Sequence, residues 1–160
     1  IGLSFGYNRT EDVAEFLSIE ELVESFVDIV SKNGNLLLNV GPRADGSIPE
    51  GQRVRLEGLG AWLDTNGEAI FGSNPWTMAA AETTNGDRVR FTAKEGALYA
   101  TLLDTPADPE VVIEGLPLES AASVTSLQTG DKLTHSLDNG TLRFTIDEAA
   151  SVAHTFKIAL

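Results

Sequence analysis

The 160-residue sequence carries 24 acidic residues against 11 basic ones, a formal net charge of −13, and is 42% hydrophobic. The acidic surplus argues against nucleic acid or an anionic membrane as the main partner, and the apolar content argues against wholesale disorder. The absence of cysteine excludes disulfides, thiolate metal sites and cysteine nucleophiles, and leaves the cellular location open. No run approaches the ~20 apolar residues of a membrane-spanning helix, and no secretory leader is visible. The first residue is Ile1 rather than Met, which suits a trimmed chain or a piece of a longer one.

Ile19, Leu22, Val23, Phe26, Val27 and Val30 recur at three- and four-residue spacing and predict an amphipathic helix. Ser18 and Glu21 form a capping-box pattern at its start, and Asn33-Gly34 supplies the stop. Asn35–Val40 then reads as a short strand covered on both faces, because its leucines run consecutively rather than alternating. Gly41-Pro42 ends it and Asp45-Gly46 marks a turn. Pro49 opens a second helix, with Val54, Leu56, Leu59, Trp62 and Leu63 as its apolar stripe and Asn66-Gly67 as its end. Gly51, Gly58 and Gly60 weaken that helix unless they serve close packing. Trp62 is expected in the core. This loop–helix–strand–loop–helix order has the rhythm of an α/β layer or barrel, but is too short to close a sheet alone.

Beyond Trp76 the pattern changes to short strands: Arg88–Ala93, Ala97–Leu103, Glu110–Ile113, Ser123–Leu127, Lys132–Leu137, Thr141–Ile146 and Val152–Leu160. Turn residues separate them, among them Asn85-Gly86, Lys94-Glu95-Gly96 and Asp138-Asn139-Gly140, the last a strong hairpin signal. Together these predict an α+β chain: residues 1–76 as a partial (β/α)-barrel segment, then residues 77–160 as an antiparallel β-sandwich. Trp76 is expected to seal the junction. His135 and His154 lack companions at metal-ligand spacing, so no metal or other cofactor is expected.

Three blocks in register, "SFGYN" (Ser4–Asn8), "SIEELVESFVDIVSKNGNLLLNVGPRADGSIPEGQ" (Ser18–Gln52) and "WLDTNGEAIFGSNPW" (Trp62–Trp76), resemble the α-L-fucosidases of glycoside hydrolase family 29. That resemblance implies the last βα units of a catalytic barrel followed by a C-terminal sandwich, and hydrolysis of α-fucosides with retention through a covalent glycosyl-enzyme. The family's aspartate nucleophile and glutamate acid/base both fall outside these 160 residues. Glu11, Asp12 and Glu15 remain as unassigned acids in a rim loop and are the catalytic candidates within the chain. Asp45 is read as a turn former, and Glu50 as a carboxylate favoured at a helix N-terminus.

In a barrel, substrates bind at the C-terminal ends of the strands. Asn39 lies close to such an end, where its amide either bonds neighbouring loop backbone, pinning the Pro42–Ile48 loop, or bonds a sugar hydroxyl. Fucose presents a methyl group and an apolar face, so Phe5, in the aromatic place of the first block, either lines the fucose pocket or packs under the loop. Tyr7, which either faces the sugar or packs in its loop, and Arg43, which either clamps a ligand with its forked guanidinium or is solvated, are the remaining substrate-binding candidates. A partial barrel leaves strand edges bare, which predicts a homo-oligomer with a site completed between subunits. The expected partner is a fucosylated saccharide. A non-catalytic carbohydrate-binding or subunit-packing module is the alternative, as is a fragment of a longer fucosidase.

Overall fold

Helix α1 (Ile19–Ser31) forms on the expected apolar stripe, burying Leu22, Val23 and Val27. The structure, a computed structural model, describes residues 1–146 and 153–160. The predicted capping box is present: the Ser18 hydroxyl accepts from the Glu21 N–H at 3.1 Å, and the Glu21 carboxylate accepts from the Ser18 N–H at 2.8 Å. At the other end Asn33, not Gly34, takes the left-handed conformation (φ 65°). The Asn33 N–H bonds the Val30 carbonyl at 3.0 Å and the Gly34 N–H bonds Ile29 at 2.8 Å, the pairing that satisfies the last helical carbonyls. Asparagine tolerates this conformation because its short side chain bonds locally.

Helix α2 (Glu50–Asn66) has Pro49 as its N-cap rather than as its first helical residue, so it starts one place later than expected. Its glycines admit neighbours. A Cβ at Gly58 would lie 2.6 Å from Ile19 Cδ1, so the two helices close on each other at this point. A Cβ at Gly51 would lie 3.1–3.2 Å from the side chains of Val13 and Phe16. Close packing therefore offsets the cost that glycine imposes on a helix.

The predicted strand Asn35–Val40 is not formed. Burial alternates along it: Leu36, Leu38 and Val40 are half-buried, whereas Asn35, Leu37 and Asn39 are exposed, Leu37 to 95%. A strand exists only when a neighbour supplies ladder partners. Among the described residues no strand lies beside this segment, so one face rests on the chain and the other is bare. The loop–helix–strand–helix order is observed as loop–helix–loop–helix.

The remaining residues build two antiparallel sheets. The strands are β1 (Asn74–Glu82), β2 (Arg88–Lys94), β3 (Ala97–Leu102), β4 (Glu110–Ile113), β5 (Ser123–Ser126), β6 (Lys132–Leu133), β7 (His135–Asp138), β8 (Thr141–Thr145) and β9 (His154–Ala159). The larger sheet has the order β1-β2-β3-β9-β5-β6 and the smaller β4-β8-β7. Between them lies a core that includes Phe91, Leu98, Leu102, Ile113, Leu142, Phe144, Phe156 and Ile158, with the Phe144 and Phe156 rings 4.7 Å apart. The outer face of the larger sheet is covered too: Val23, Val27, Trp62, Ile70, Leu103 and Ala153 pack together. This two-sided cover explains why β3 is buried at all six positions. Its inner residues enter the sandwich, while Tyr99 packs with Ala69 and Ala97, and Thr101 bonds Thr155 at 3.0 Å.

Most expected strands are found. Asn139 and Gly140, at φ 48° and 76°, form the two-residue hairpin between β7 and β8. The expected strand Lys132–Leu137 divides at Thr134, its first part joining the larger sheet and its second the smaller. Val152, where the last strand was expected to begin, lies outside the described residues. Strand β1 was not foreseen, because Pro75 and three alanines (Ala79–Ala81) carry little strand signal. As an edge strand with a register break between Pro75 and Ala80, it tolerates both. Trp76 belongs to β1 and meets Phe91 edge-on at 5.1 Å against the sandwich core. It does not seal the junction between helices and sheet, where Trp62 lies instead.

Ion pairs fasten α1 to β2. Arg90 Nε lies 2.6 Å from Asp28 Oδ1, and Arg88 spans Glu24 at 3.1 Å and Asp104 at 2.6 Å. No helix among the described residues is long and apolar enough to cross a membrane.

Candidate functional site

Two loops meet at one end of the helix pair: Ile1–Asn8 and Asn39–Ser47. The contact is close enough to require glycine. A Cβ at Gly41 would lie 2.4 Å from the Tyr7 nitrogen and 2.5 Å from the Gly6 carbonyl carbon. The Asn39 side-chain amide donates to the Phe5 carbonyl, and the Ile1 amino group donates to the Asn39 carbonyl at 3.2 Å. Asn39 thus pins the loop that carries Phe5 rather than its own Pro42–Ile48 loop. That second loop is closed from within: Asp45 accepts from the Ser47 N–H at 3.0 Å and from its hydroxyl at 2.7 Å. These two bonds, the hydroxyl's first, hold the Asp45 carboxyl below the usual range.

The three candidate acids all bond backbone. Glu11 Oε1 accepts from the N–H groups of Leu3 (2.5 Å) and Ser4 (2.9 Å). Asp12 caps the 3-10 turn Val13–Glu15, accepting from the Ala14 N–H at 3.0 Å, and Glu15 reaches back to the Asp12 N–H at 3.3 Å. Glu50 is occupied by Arg53, whose hydrogen bond lowers its pKa.

The structure brings Phe5, Tyr7, Asn39 and Arg43 together. Phe5 is 87% exposed, although its loop is held at Leu3, Ser4 and its own carbonyl. It does not pack under the loop. The Arg43 guanidinium lies 5.8 Å from the centre of the Tyr7 ring, within cation–π range, and donates to the Ser47 hydroxyl at 3.3 Å. This surface combines an exposed ring, a phenol, an amide and a guanidinium, the chemistry that recognises one apolar and one hydroxylated face.

Gln52 was missed by sequence reasoning. It is buried on α2, and its Oε1 accepts from the Gly41 N–H at 2.9 Å, tying the second loop to the helix. A glutamine three residues after Pro49 looks like any first-turn polar residue, so only its burial identifies it. His135 sits between the carbonyls of Leu133 and Ala121. His154 is buried, stacks on Phe156 at 4.5 Å and bonds the Ser126 hydroxyl at 2.8 Å. Among the described residues no group of three His, Cys, Asp or Glu is arranged to hold a metal.

The chain is thus a helix pair on a two-sheet antiparallel sandwich, with an aromatic and polar loop surface at one end. A family model described as Alpha-L-fucosidase matches residues 1–68. Tissue α-L-fucosidase of Rattus norvegicus is 38% identical over 124 residues, 78% of this chain and 26% of its own length. The crystal structure of the Thermotoga maritima α-fucosidase with a mechanism-based inhibitor superposes with a TM-score of 0.91 at 41% identity, covering 100% of this chain and 38% of that one. The same enzyme in complex with fucose gives 0.90 at 42% identity, covering 99% and 38%. The chain belongs to the α-L-fucosidase family. It spans about a quarter of the length of the curated relatives that it matches.

Proposed function

We propose that this chain serves α-L-fucoside hydrolysis by supplying one wall of the sugar site, the surface of Phe5, Tyr7, Asn39 and Arg43. The observation that carries this reading is an apolar ring left 87% exposed on a loop held by tertiary hydrogen bonds. Such a ring suits the methyl group and apolar face of fucose, and Asn39 and Arg43 suit its hydroxyls. The likeness to an α-fucosidase solved with fucose supports it.

Retaining glycosidases need two carboxyl groups about 5–5.5 Å apart. Glu11, Asp12 and Glu15 are already committed to backbone N–H groups, so we assign them to building the loop. The catalytic pair belongs to the wall that the longer relatives add. In that reading, Asn35–Val40 becomes a barrel strand once its neighbours are present, and the division between barrel segment and sandwich falls between Ala69 and Asn74. A second reading, a homo-oligomer, is favoured by the exposed Leu3, Leu37 and Phe71, which invite cover by another surface.

The test is incubation of the purified chain with nitrophenyl α-L-fucoside, with light scattering on the same sample. Fucose binding without nitrophenol release is the expected result. Nitrophenol release would contradict the placing of the catalytic pair elsewhere. Neither binding nor release would remove the proposal. A monomer by light scattering would remove the oligomer reading alone.

A further inference from the structure

We infer that Glu11 and Asn39 are positioning residues for Phe5, Glu11 setting the affinity for a 6-deoxy sugar without touching it and Asn39 doing so through the Phe5 carbonyl besides facing the sugar itself. This rests on the reading of Phe5 as the sugar-facing ring. An exposed phenylalanine on a free loop would turn away from water or sample many orientations, and ordering it would oppose binding. Here the ordering is already done. Glu11 Oε1 gathers the N–H groups of two consecutive residues, Leu3 and Ser4, immediately before Phe5. Asn39 then takes the Phe5 carbonyl, and the Asn8 side chain bonds the Ser4 hydroxyl at 3.0 Å. The carboxylate is fixed in turn: a Cβ at Gly2 would lie 2.6 Å from Glu11 Oε1 and 2.7 Å from the Phe16 ring, so the glycine leaves room for both. Donors before the ring and an acceptor at the ring's own residue clamp the backbone on both sides of Phe5.

The chemistry predicts which substitutions the clamp survives. Glutamine at position 11 keeps an oxygen that accepts from both N–H groups, whereas alanine keeps none. The experiment measures amide exchange by NMR on the 160-residue chain, unmodified and as Glu11→Ala, Glu11→Gln and Asn39→Ala. Each protein is also titrated with L-fucose, and its unfolding midpoint is recorded. In Glu11→Ala the Leu3 and Ser4 amides should exchange at least about tenfold faster, because a hydrogen bond to a charged acceptor is lost. In Glu11→Gln they should exchange as in the unmodified chain. Fucose affinity should follow the same order with the unfolding midpoint unchanged. Asn39→Ala should lower the affinity while leaving the Leu3 and Ser4 amides protected.

Unaltered exchange of both amides in Glu11→Ala would overturn the inference. So would equal fucose affinity in all four proteins. If the unmodified chain gives no saturable response to fucose, the sugar reading fails, and the exchange rates alone still decide whether Glu11 holds the loop.

Discussion

The indole Nε1 of Trp62 donates to the carbonyl of Ala153 at 2.9 Å, a buried bond between residues 91 apart in sequence. It joins α2 to the residue just before β9, and Ala153 holds a positive φ of 44° that alanine rarely adopts. Replacing Trp62 by Phe removes the donor and leaves a buried carbonyl unsatisfied, at a cost of about 1–3 kcal/mol. Trp62→Ala adds a cavity and should cost about 3–5 kcal/mol. Urea denaturation of the three proteins measures both. A loss confined to the Ala variant would show that the hydrogen bond contributes nothing.

Gly58→Ala separates helix propensity from packing. Alanine improves an exposed helix position by about 1 kcal/mol. Here its methyl would lie 2.6–2.9 Å from three atoms of Ile19. The substitution should therefore destabilise the chain, and Ile19→Ala made in the same protein should recover part of the loss. A double-mutant cycle on the unfolding midpoint reads that coupling.

Local patterns carried much of this fold in readable form. The α1 stripe, its capping box and the Asn139-Gly140 hairpin depend on neighbours within a few residues, and all three are present. What failed depended on distant partners. Asn35–Val40 has strand composition, but its ladder needs chain that is not beside it. Pro75 and its alanines have poor strand composition, but β2 supplies a ladder. The site divides in the same way. The polar and aromatic types at Phe5, Tyr7, Asn39 and Arg43 were visible, and the structure brings them together. That Asn39 bonds the Phe5 carbonyl, that Glu11 serves two amides and that Gln52 is buried are tertiary facts with no local signal.

Stability should fall in two pH windows. Burial pushes the His154 imidazole below its ordinary range, and among the described residues Asp131 is the one other ionisable group lining the small cavity beside it. The unfolded chain takes up this proton near pH ~6.5 while the native state resists it, so stability declines as pH drops below that value. A second decline begins below about pH 4, where unfolded carboxyls are protonated. Asp104 is held low by the Arg88 hydrogen bond; at Asp28 burial works against the charge, but hydrogen bonds from Lys32 and Arg90 prevail. Their stabilisation is present above the unfolded value and lost as pH falls through the depressed native ones. Thermal midpoints of the unmodified chain and His154→Gln, taken from roughly pH 8 to pH 3, check this: the variant should lose the first decline and keep the second.

Gly41→Ala tests whether the two loops form one surface. Its methyl would overlap the backbone of Gly6 and Tyr7, which no side-chain rotation relieves. The loops should part, breaking the Asn39–Phe5 bond and baring the Gly41 N–H that Gln52 now accepts. The NMR signals of Tyr7 and Arg43 should shift while those of the sandwich stay fixed. Unchanged signals at Tyr7 would show that the loops do not meet.

The most direct test of the central claim is an NMR titration of the chain with L-fucose. Saturable shifts confined to Phe5, Tyr7, Asn39 and Arg43, with a midpoint on the order of millimolar, are the predicted result. L-galactose, with a hydroxyl group where fucose has only a methyl hydrogen, should bind more weakly. No saturable shift, or shifts centred on the sandwich strands, would contradict the account.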